Sequence, residues 1–295
     1  MARPAAPGVH LVVGGFPPGS TAGHDMHYAR TELLQFVGEV DHVQPTISSN
    51  FADLETWLPT SQLLITYTSG PFPSDTALTH LNSWLERGGR WLALHGTSGG
   101  KAEPVNGDRR RRRMVKMSHH QTLGAFFLNH PPIRKFEVNV HGDHPIVHNM
   151  PASFETTDEL YFIEILDPNA KVLLSTELPD DPDPAFGFEV DLDTSLMEDG
   201  HNRALGIVCD RGSGAVAYIA LGHAHSPATN GQPYVDVSVT SDRATPTTFR
   251  GSWETKGFST LIRNAIQWGL QLEHEQSAAW DAVLQEDPGL QGRPS

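Results

Sequence analysis

Histidines stand in the sequence where apolar segments end. His24 comes after the loop that leaves the first apolar segment, and His95 directly follows the apolar residues 91–94. His223 follows a later apolar segment at 215–221. If these segments are parallel neighbouring strands, the three side chains lie along one edge of a sheet. Neutral imidazoles in that position could bind zinc or another divalent metal, or move protons near pH 7.

Each of these histidines also has an ordinary structural explanation. A histidine in a loop at a strand end often only caps the strand or donates one hydrogen bond. The shared placement of the three favours a functional group, and both interpretations stay open at this point. His225 lies two residues beyond His223, so both rings would lie on one face of an extended chain. The two could bind one metal ion together, or they could simply be polar residues of a loop.

Five other histidines favour structural roles. The adjacent His119 and His120 stand beside a basic run, and we interpret them as a solvated pair. A proline after His144 forces an extended or turn conformation on that residue. We interpret the following cluster as a structural turn: His141, His144 and His148.

Two carboxylates precede an apolar segment that predicts a strand. Carboxylates at the start of a strand are usually solvated, but a carboxylate beside an imidazole commonly orients the ring or shares its metal. Asp158 and Glu159 therefore join His95 and His223 as candidate catalytic residues. Tyr161 could donate a hydrogen bond from its hydroxyl to a substrate oxygen, or could simply pack.

Short apolar segments alternate with amphipathic ones and must position these side chains. The predicted strands are 9–14, 43–47, 63–67, 90–94, 136–140, 159–165, 172–175, 205–209 and 215–221. The predicted helices are 24–37, 74–87 and 258–270. Apolar rather than alternating strands, interleaved with helices, are typical of an α/β layer fold with a mainly parallel sheet.

Composition and missing motifs exclude several functions. Of 295 residues, 21 are Lys or Arg and 35 are Asp or Glu, so the net charge of −14 argues against a nucleic-acid partner. The sequence has neither a glycine-rich phosphate loop nor a dinucleotide fingerprint, which disfavours a nucleotide cofactor. It also lacks a G-x-S-x-G elbow.

The number of cysteines and the length of the apolar runs indicate in which compartment the protein is expected. The single cysteine, Cys209, excludes an intramolecular disulfide and a thiolate-built metal site. It lies within a predicted strand, so we expect it to be buried and inert. No leader-like segment and no apolar run of about 20 residues is seen, so we expect a cytoplasmic protein without a membrane partner.

Several segments interrupt the regular pattern. The five arginines at 109–113 are interpreted as a solvated loop, with contact to an anion or a partner as the alternative. Residues 180–184 and 227–248 are predicted insertions. No long linker is seen, so we predict one domain over 1–295, with a core at about 9–270 and a C-terminal tail at 271–295.

The chain contains a series of motifs in order. They are Gly88-Gly89-Arg90-Trp91-Leu92-Ala93-Leu94-His95-Gly96, residues 126–131 ending in His130-Pro131, His144-Pro145-Ile146, Asp158-Glu159-Leu160-Tyr161, residues 214–223 and Ile266-Gln267-Trp268. Together these motifs resemble the ThuA-like, or trehalose-utilisation, family, and the resemblance covers about residues 9–270. The run at 109–113 and the insertion at 227–248 depart from the family pattern.

The resemblance implies a fold like that of class I glutamine amidotransferases, a flavodoxin-like three-layer sandwich. In those enzymes the turn after the central strand presents a cysteine nucleophile, whereas here that turn carries His95. Glutamine hydrolysis through a thiolate is therefore excluded. The polar positions that match the family are His24, His95, His130, Asp158, Glu159 and His223.

The resemblance also implies a role in the use of trehalose or related disaccharides. We predict action on an oxidised 3-keto sugar by hydrolysis, elimination or isomerisation, because a keto group acidifies the neighbouring C–H bond. His24, His95 and His223 would hold a metal, and His130 and Tyr161 would contact the carbohydrate. The alternatives are a non-catalytic module that binds a sugar or a partner protein, and a metal-dependent hydrolase. Assembly into a homo-oligomer stays open.

Overall fold

The computed structural model describes residues 7–14, 23–180 and 188–272, apart from the side chains of residues 109 and 110. Most of its strands join one nine-stranded sheet. The strands are β1 (Gly8–Gly14), β2 (Gln44–Ser48), β3 (Leu63–Thr68), β4 (Arg90–Leu94), β5 (Lys101–Val105), β6 (Asp108–Val115), β7 (Ala125–Asn129), β8 (Arg134–Val140), β9 (Ser153–Asp158), β10 (Phe162–Ile165), β11 (Lys171–Glu177), β12 (Asn202–Arg211) and β13 (Gly214–Ile219).

The sheet has a parallel part followed by an antiparallel part. Its strand order is β2-β1-β3-β4-β13-β12-β11-β8-β9. The first five strands run parallel, and each later strand is antiparallel to its neighbour. The parallel part has the flavodoxin-like order, in which the direction of winding reverses between β1 and β3. Ligands bind such sheets beyond the carboxyl ends of the strands at this reversal.

Helices cover the faces of the sheet and complete the predicted three-layer sandwich. They are α1 (Met26–Gly38), α2 (Leu54–Trp57), α3 (Asp75–Glu86), α4 (His119–Leu123) and α5 (Lys256–Leu270). Helix α1 packs against β1 and α5, whereas α3 packs against α2 and β13. Side chains of Asp25, Ser74 and Thr255 accept backbone hydrogen bonds at the starts of α1, α3 and α5, which satisfies amide groups that a helix leaves unpaired.

The apolar pattern of the sequence predicts the parallel strands well. Strand β4 has the predicted bounds, and β1, β3 and β13 differ from the prediction by one or two residues at an end. All side chains of β3 and β13 are buried, as a strand covered on both faces requires. Cys209 is buried within β12, as expected.

Two predictions about local structure are wrong. The arginines at 109–113 form strand β6, which pairs with β5 in an antiparallel hairpin, and do not form a loop. Cross-strand hydrogen bonds stabilise this hairpin and are not visible in a charge pattern. The strand predicted at 159–165 covers only Phe162–Ile165, and a polar strand, β9, precedes it.

The C-terminal residues 273–295, and most of the insertion predicted at 180–184, lie outside the described residues. Within the described ranges, residues 227–248 contain no helix or strand, which agrees with a predicted insertion. No helix in the part of the chain that the structure describes is long and apolar enough to cross a bilayer. The extent of the single domain stays a prediction.

Candidate active site

A cavity of about 510 Å³ opens beyond the carboxyl ends of the parallel strands. Ser69 follows β3 and Gly96 follows β4, and both line the cavity together with His24 and Glu159. Its volume is in the range of sites for small molecules. Its place agrees with the rule that open α/β sheets bind ligands where the winding reverses.

Glu159 lies at the centre of the cluster, and its side chain is only 3% exposed. Its Oε2 atom is 3.1 Å from Nδ1 of His223, 3.3 Å from Nε2 of His95 and 3.8 Å from Nε2 of His24. Its other oxygen, Oε1, is 3.2 Å from Nε2 of His130. One buried carboxylate therefore joins four of the histidines that the sequence selects.

Hydrogen bonds on the Nε2 side of His223 determine which ring nitrogen carries the proton. The Nε2 group of His225 donates to the carbonyl of Pro246 at 2.8 Å, so Nδ1 of a neutral His225 accepts. The Nε2 group of His223 lies 3.0 Å from that Nδ1 and donates to it. The proton of His223 is therefore on Nε2, and the lone pair on its Nδ1 points to Glu159.

His95 presents a lone pair to the same carboxylate. Its Nδ1 group donates to the carbonyl of Ala220 at 2.7 Å, so Nε2 of the neutral ring faces Glu159 without a proton. The backbone of His95 has φ = 43°, a left-handed value that residues other than glycine rarely adopt. A Cβ atom on Gly96 would lie 2.5 Å from the carbonyl oxygen of Thr68, so this tight turn requires glycine.

His24 bridges the two strands at which the winding reverses. It follows β1, and its Nδ1 lies 3.2 Å from the hydroxyl of Ser69, which follows β3. Its Nε2 lies 3.3 Å from the hydroxyl of Tyr161. The next residue, Asp25, donates its backbone N–H to the carbonyl of Ala224 at 2.7 Å, which ties the start of α1 to the loop that carries His223.

His130 and Gln232 contact the outer oxygen of Glu159. The Nδ1 group of His130 donates to the carbonyl of Pro131 at 2.9 Å, so Nε2 is the nitrogen that can take up a proton. The amide of Gln232 donates a short hydrogen bond to Oε1 of Glu159. Both side chains line the cavity, so this oxygen lies at the boundary between the buried cluster and the substrate space.

Charge in the cluster favours an ionised Glu159. Burial acts to raise the pKa of Glu159, but positive charge on a protonated His130 or His223 outweighs it and holds that pKa well below its usual range. Burial lowers the pKa of His223, and Glu159 opposes this shift only in part. Ionised carboxylate and neutral imidazole are the forms in which these groups bind metal ions.

The donor set fits a metal ion. Nε2 of His95 and Nδ1 of His223 are buried and have no hydrogen-bond partner among the described residues. Each instead faces an acceptor oxygen of Glu159, an arrangement of lone pairs that a bound cation would stabilise. One ligand atom each from His24, His95, Glu159 and His223 lies within 4.8 Å of the others. Imidazole nitrogens with one carboxylate oxygen are a common ligand set for zinc.

Asp158 turns away from the cavity and anchors the loops of the site. Its carboxylate accepts the backbone N–H groups of Gly222 at 2.8 Å, His223 at 3.0 Å and Glu159 at 2.7 Å. It also accepts a short hydrogen bond from the hydroxyl of Ser252. Burial raises its pKa to about 6. Asp158 thus holds two of the candidate metal ligands in place without lining the cavity.

The structure corrects the interpretation of His119 and His120 as a solvated pair. Both are buried at 1% exposure. Nε2 of His119 lies 3.3 Å from the carbonyl of Thr97, and Nε2 of His120 lies 3.1 Å from that of Ser98. Helix α4 therefore packs against the turn that carries His95, a long-range contact that the nearby charges conceal.

The trio of histidines around Pro145 lies outside the candidate site. His144 accepts the backbone N–H of Ile146 and starts a short 3-10 helix, as the predicted turn requires. Sequence reasoning missed three polar residues that line the cavity: Ser69, Arg112 and Gln232. The charge pattern of the sequence identifies Arg112 only as one member of the basic run at 109–113. Nothing in the sequence distinguishes Ser69 or Gln232 from other polar residues.

Comparisons with solved structures support the fold. A ThuA-like protein from Bacteroides uniformis aligns with a TM-score of 0.58 and 16% identity, over 93% of this chain and 96% of that one. A ThuA-like protein from Parabacteroides merdae aligns with a TM-score of 0.52 and 16% identity, over 89% of each chain. A β-galactosidase from Bacillus circulans sp. alkalophilus aligns with a TM-score of 0.51 and 8% identity, over 93% of this chain but 31% of that one.

Sequence comparison identifies the family. A search of the curated proteins found no match to this sequence. The family described as ThuA, trehalose utilisation, matches over residues 18–235, which include all four candidate metal ligands and most of the parallel sheet. The chain therefore belongs to the ThuA family.

Proposed function

We propose that this protein is a metal-dependent enzyme that removes a proton next to the keto group of an oxidised sugar. The observation that carries the proposal is the convergence of three imidazoles on one oxygen of Glu159 beside a cavity of about 510 Å³. Membership of the trehalose-utilisation family supports a carbohydrate as the substrate class. Proton removal at this position is the step that elimination and isomerisation of a keto sugar share.

We assign separate roles to the ligands and to the residues that face the cavity. His24, His95, His223 and Glu159 would hold a divalent cation such as zinc. When bound, the ion would supply Lewis acidity that polarises the keto oxygen of the substrate. His95 and His223 are fully buried and are not among the described residues that line the cavity, so we assign them to the metal and not to proton transfer.

His130 is the residue best placed to take the proton. It lines the cavity, and its Nε2 atom accepts the proton from the carbon next to the keto group while the electron pair of the C–H bond moves toward the carbonyl oxygen. The carboxylate of Glu159, 3.2 Å from this nitrogen, stabilises the imidazolium that forms. The hydroxyl of Tyr161 stays protonated because burial raises its pKa, and it can donate to a sugar oxygen.

The metal part of the proposal is tested by elemental analysis of protein purified without chelators or metal-affinity resin. We expect about one equivalent of zinc or a similar ion, and zinc affinity at least about tenfold weaker in Glu159→Gln. Glu155→Gln is the matched control because Glu155 lies on β9, the strand before Glu159, and is exposed. If the wild-type protein neither contains nor takes up a divalent ion, the metal assignment is wrong.

The chemical part is tested with 3-keto-trehalose in D2O. Proton abstraction is expected to exchange the hydrogen next to the keto group, or to release a monosaccharide, at a rate that falls about 10²-fold or more in His130→Gln. Metal content should not change in that variant. Binding of the sugar without exchange or product would instead support a non-catalytic sugar-binding module.

A further inference from the structure

Strand β6 turns the side chain of one arginine into the cavity and those of its neighbours away from it. Side chains alternate between the two faces of a strand, so Arg112 and Met114 share one face of the β5–β6 hairpin. Ala102 pairs directly with Met114 on that face. Ala102, Arg112 and Met114 all line the cavity, whereas Arg111 and Arg113 do not.

The two arginines on the other face already have carboxylate partners. Arg111 forms an ion pair with Glu189, and Arg113 lies 2.8 Å from Asp191. Arg112 has no carboxylate partner within the described part of the chain, and its guanidinium packs over the ring of Phe188 at 5.2 Å. Among the described residues that line the cavity, it is the single Lys or Arg.

An aromatic wall joins this cation to the metal cluster. The ring of Phe188 contacts that of Phe127 edge to face at 5.9 Å, and Phe127 lies 4.2 Å from Tyr161. The ring of Tyr161 stacks on that of His95 at 4.0 Å. A sugar lying along this wall would have His24 and Glu159, the cluster residues that line the cavity, at one end and Arg112 at the other.

We propose that Arg112 pairs with an anionic group of the substrate, so that the site selects an acidic keto sugar over a neutral one. A guanidinium forms paired hydrogen bonds with a carboxylate or a phosphate equally well, so a uronic-type carboxylate and a sugar phosphate are the two sources of this charge. The inference rests on the proposed function for its sugar, but not on the metal or the chemical step.

The test is a calorimetric titration of the full-length protein with D-glucose, D-glucuronate and D-glucose 6-phosphate. We expect at least one of the acidic ligands to bind about tenfold or more tightly than glucose, since its anionic group accepts charge-assisted hydrogen bonds from the guanidinium that glucose cannot accept. Arg112→Gln should remove this preference. Arg113→Gln, which deletes the same charge from the other face of β6, should retain it.

The outcomes separate this inference from the proposed function. Equal affinity for all three ligands, or a preference that survives Arg112→Gln, overturns the inference and leaves the metal and proton-transfer assignments intact. A preference that is lost in His223→Ala but not in Arg112→Gln would show that the acid binds at the metal, and also overturns it. Failure of all three ligands to bind overturns the inference, whereas the carbohydrate assignment is tested by the exchange assay with 3-keto-trehalose.

Discussion

Nε2 of His223 lies 3.0 Å from Nδ1 of His225, and this contact decides which nitrogen of His223 faces the cluster. His225 is itself fixed by the carbonyl of Pro246. The chain of hydrogen bonds leaves Nδ1 of His223 without a proton and directed at Glu159. His225 is therefore a positioning residue that acts through His223.

Replacing His225 by Phe should weaken metal binding without removing a ligand. The ring of His223 loses its acceptor, so its proton is no longer confined to Nε2. Loss of such an outer partner typically costs about 10- to 100-fold in metal affinity. Competition with a chromogenic chelator measures this for zinc, with the exposed His201→Phe as control. Unchanged zinc affinity in His225→Phe would contradict the role.

Asp158→Asn should lower the stability of the fold and leave the groups that line the cavity chemically unchanged. Three backbone N–H groups and the hydroxyl of Ser252 donate to this carboxylate, and an amide NH₂ would face some of these donors. We expect a loss of about 2–4 kcal/mol in the free energy of unfolding, measured in urea.

The milder variant Ser252→Ala serves as the comparison for Asp158→Asn. It removes one donor to the carboxylate and leaves the three backbone donors in place, so about 1 kcal/mol is expected. If Asp158→Asn unfolds at the wild-type urea concentration yet loses activity, Asp158 acts in the chemistry and not as an anchor.

The loss of folding stability at acid pH should depend on His119. Burial, with a smaller contribution from His120, lowers the pKa of His119 from 6.5 to about 3. The unfolded chain therefore takes up a proton at His119 below pH 6.5, whereas the folded protein does not. Stability is retained above pH 6.5 and falls toward pH 3 by up to about 1.4 kcal/mol per pH unit from this group.

The variant His119→Phe isolates that contribution. The ring of His119 already stacks on Phe72 at 4.7 Å, so Phe keeps this contact and loses the hydrogen bond between Nε2 and the carbonyl of Thr97 at 3.3 Å. Urea unfolding between pH 4.5 and 7.5 should show a shallower loss of stability in the variant. The exposed His201→Phe should leave the slope unchanged. Equal slopes in wild type and His119→Phe would show that folding does not lower the pKa of His119.

The convergence of the candidate ligands follows largely from the sequence. His95 directly follows β4, and His223 lies four residues beyond β13, the strand that pairs with β4, whereas His24 follows the parallel strand β1. Parallel strands bring their carboxyl ends to one edge, so histidines that follow such apolar segments are expected to lie near one another there. The apolar pattern of the sequence, with the rule that parallel strands end at one edge of the sheet, therefore predicts this part of the site.

The central position of Glu159 does not follow in that way. Strand β9, which ends just before it, is polar and lies at the edge of the antiparallel part of the sheet, so it has no apolar pattern to reveal it. Arg112 is equally hidden, because the register of the β5–β6 hairpin decides which arginine of the run faces the cavity. Long-range pairing, and not residue type, places both side chains.

Gly222→Ala should impair the site through the backbone. Gly222 has φ = 114°, a conformation that strains any residue with a Cβ atom, and its carbonyl accepts hydrogen bonds from Tyr67 at 2.9 Å and Trp253 at 2.7 Å. A shift here moves the next residue, His223. We expect a loss of about 1–3 kcal/mol in stability and weaker zinc binding, because the ligand leaves its position.

Gly200→Ala is the control that separates strain from displacement of the ligand. Gly200 has φ = 70° and an open surrounding, since a Cβ atom there would meet nothing within 4 Å. Alanine at this position carries a backbone cost of its own but leaves the loop of His223 untouched. Both variants should lower the urea midpoint, and only Gly222→Ala should weaken zinc binding. If both variants bind zinc like the wild type, the geometry of the Gly222 turn does not control the metal ligands.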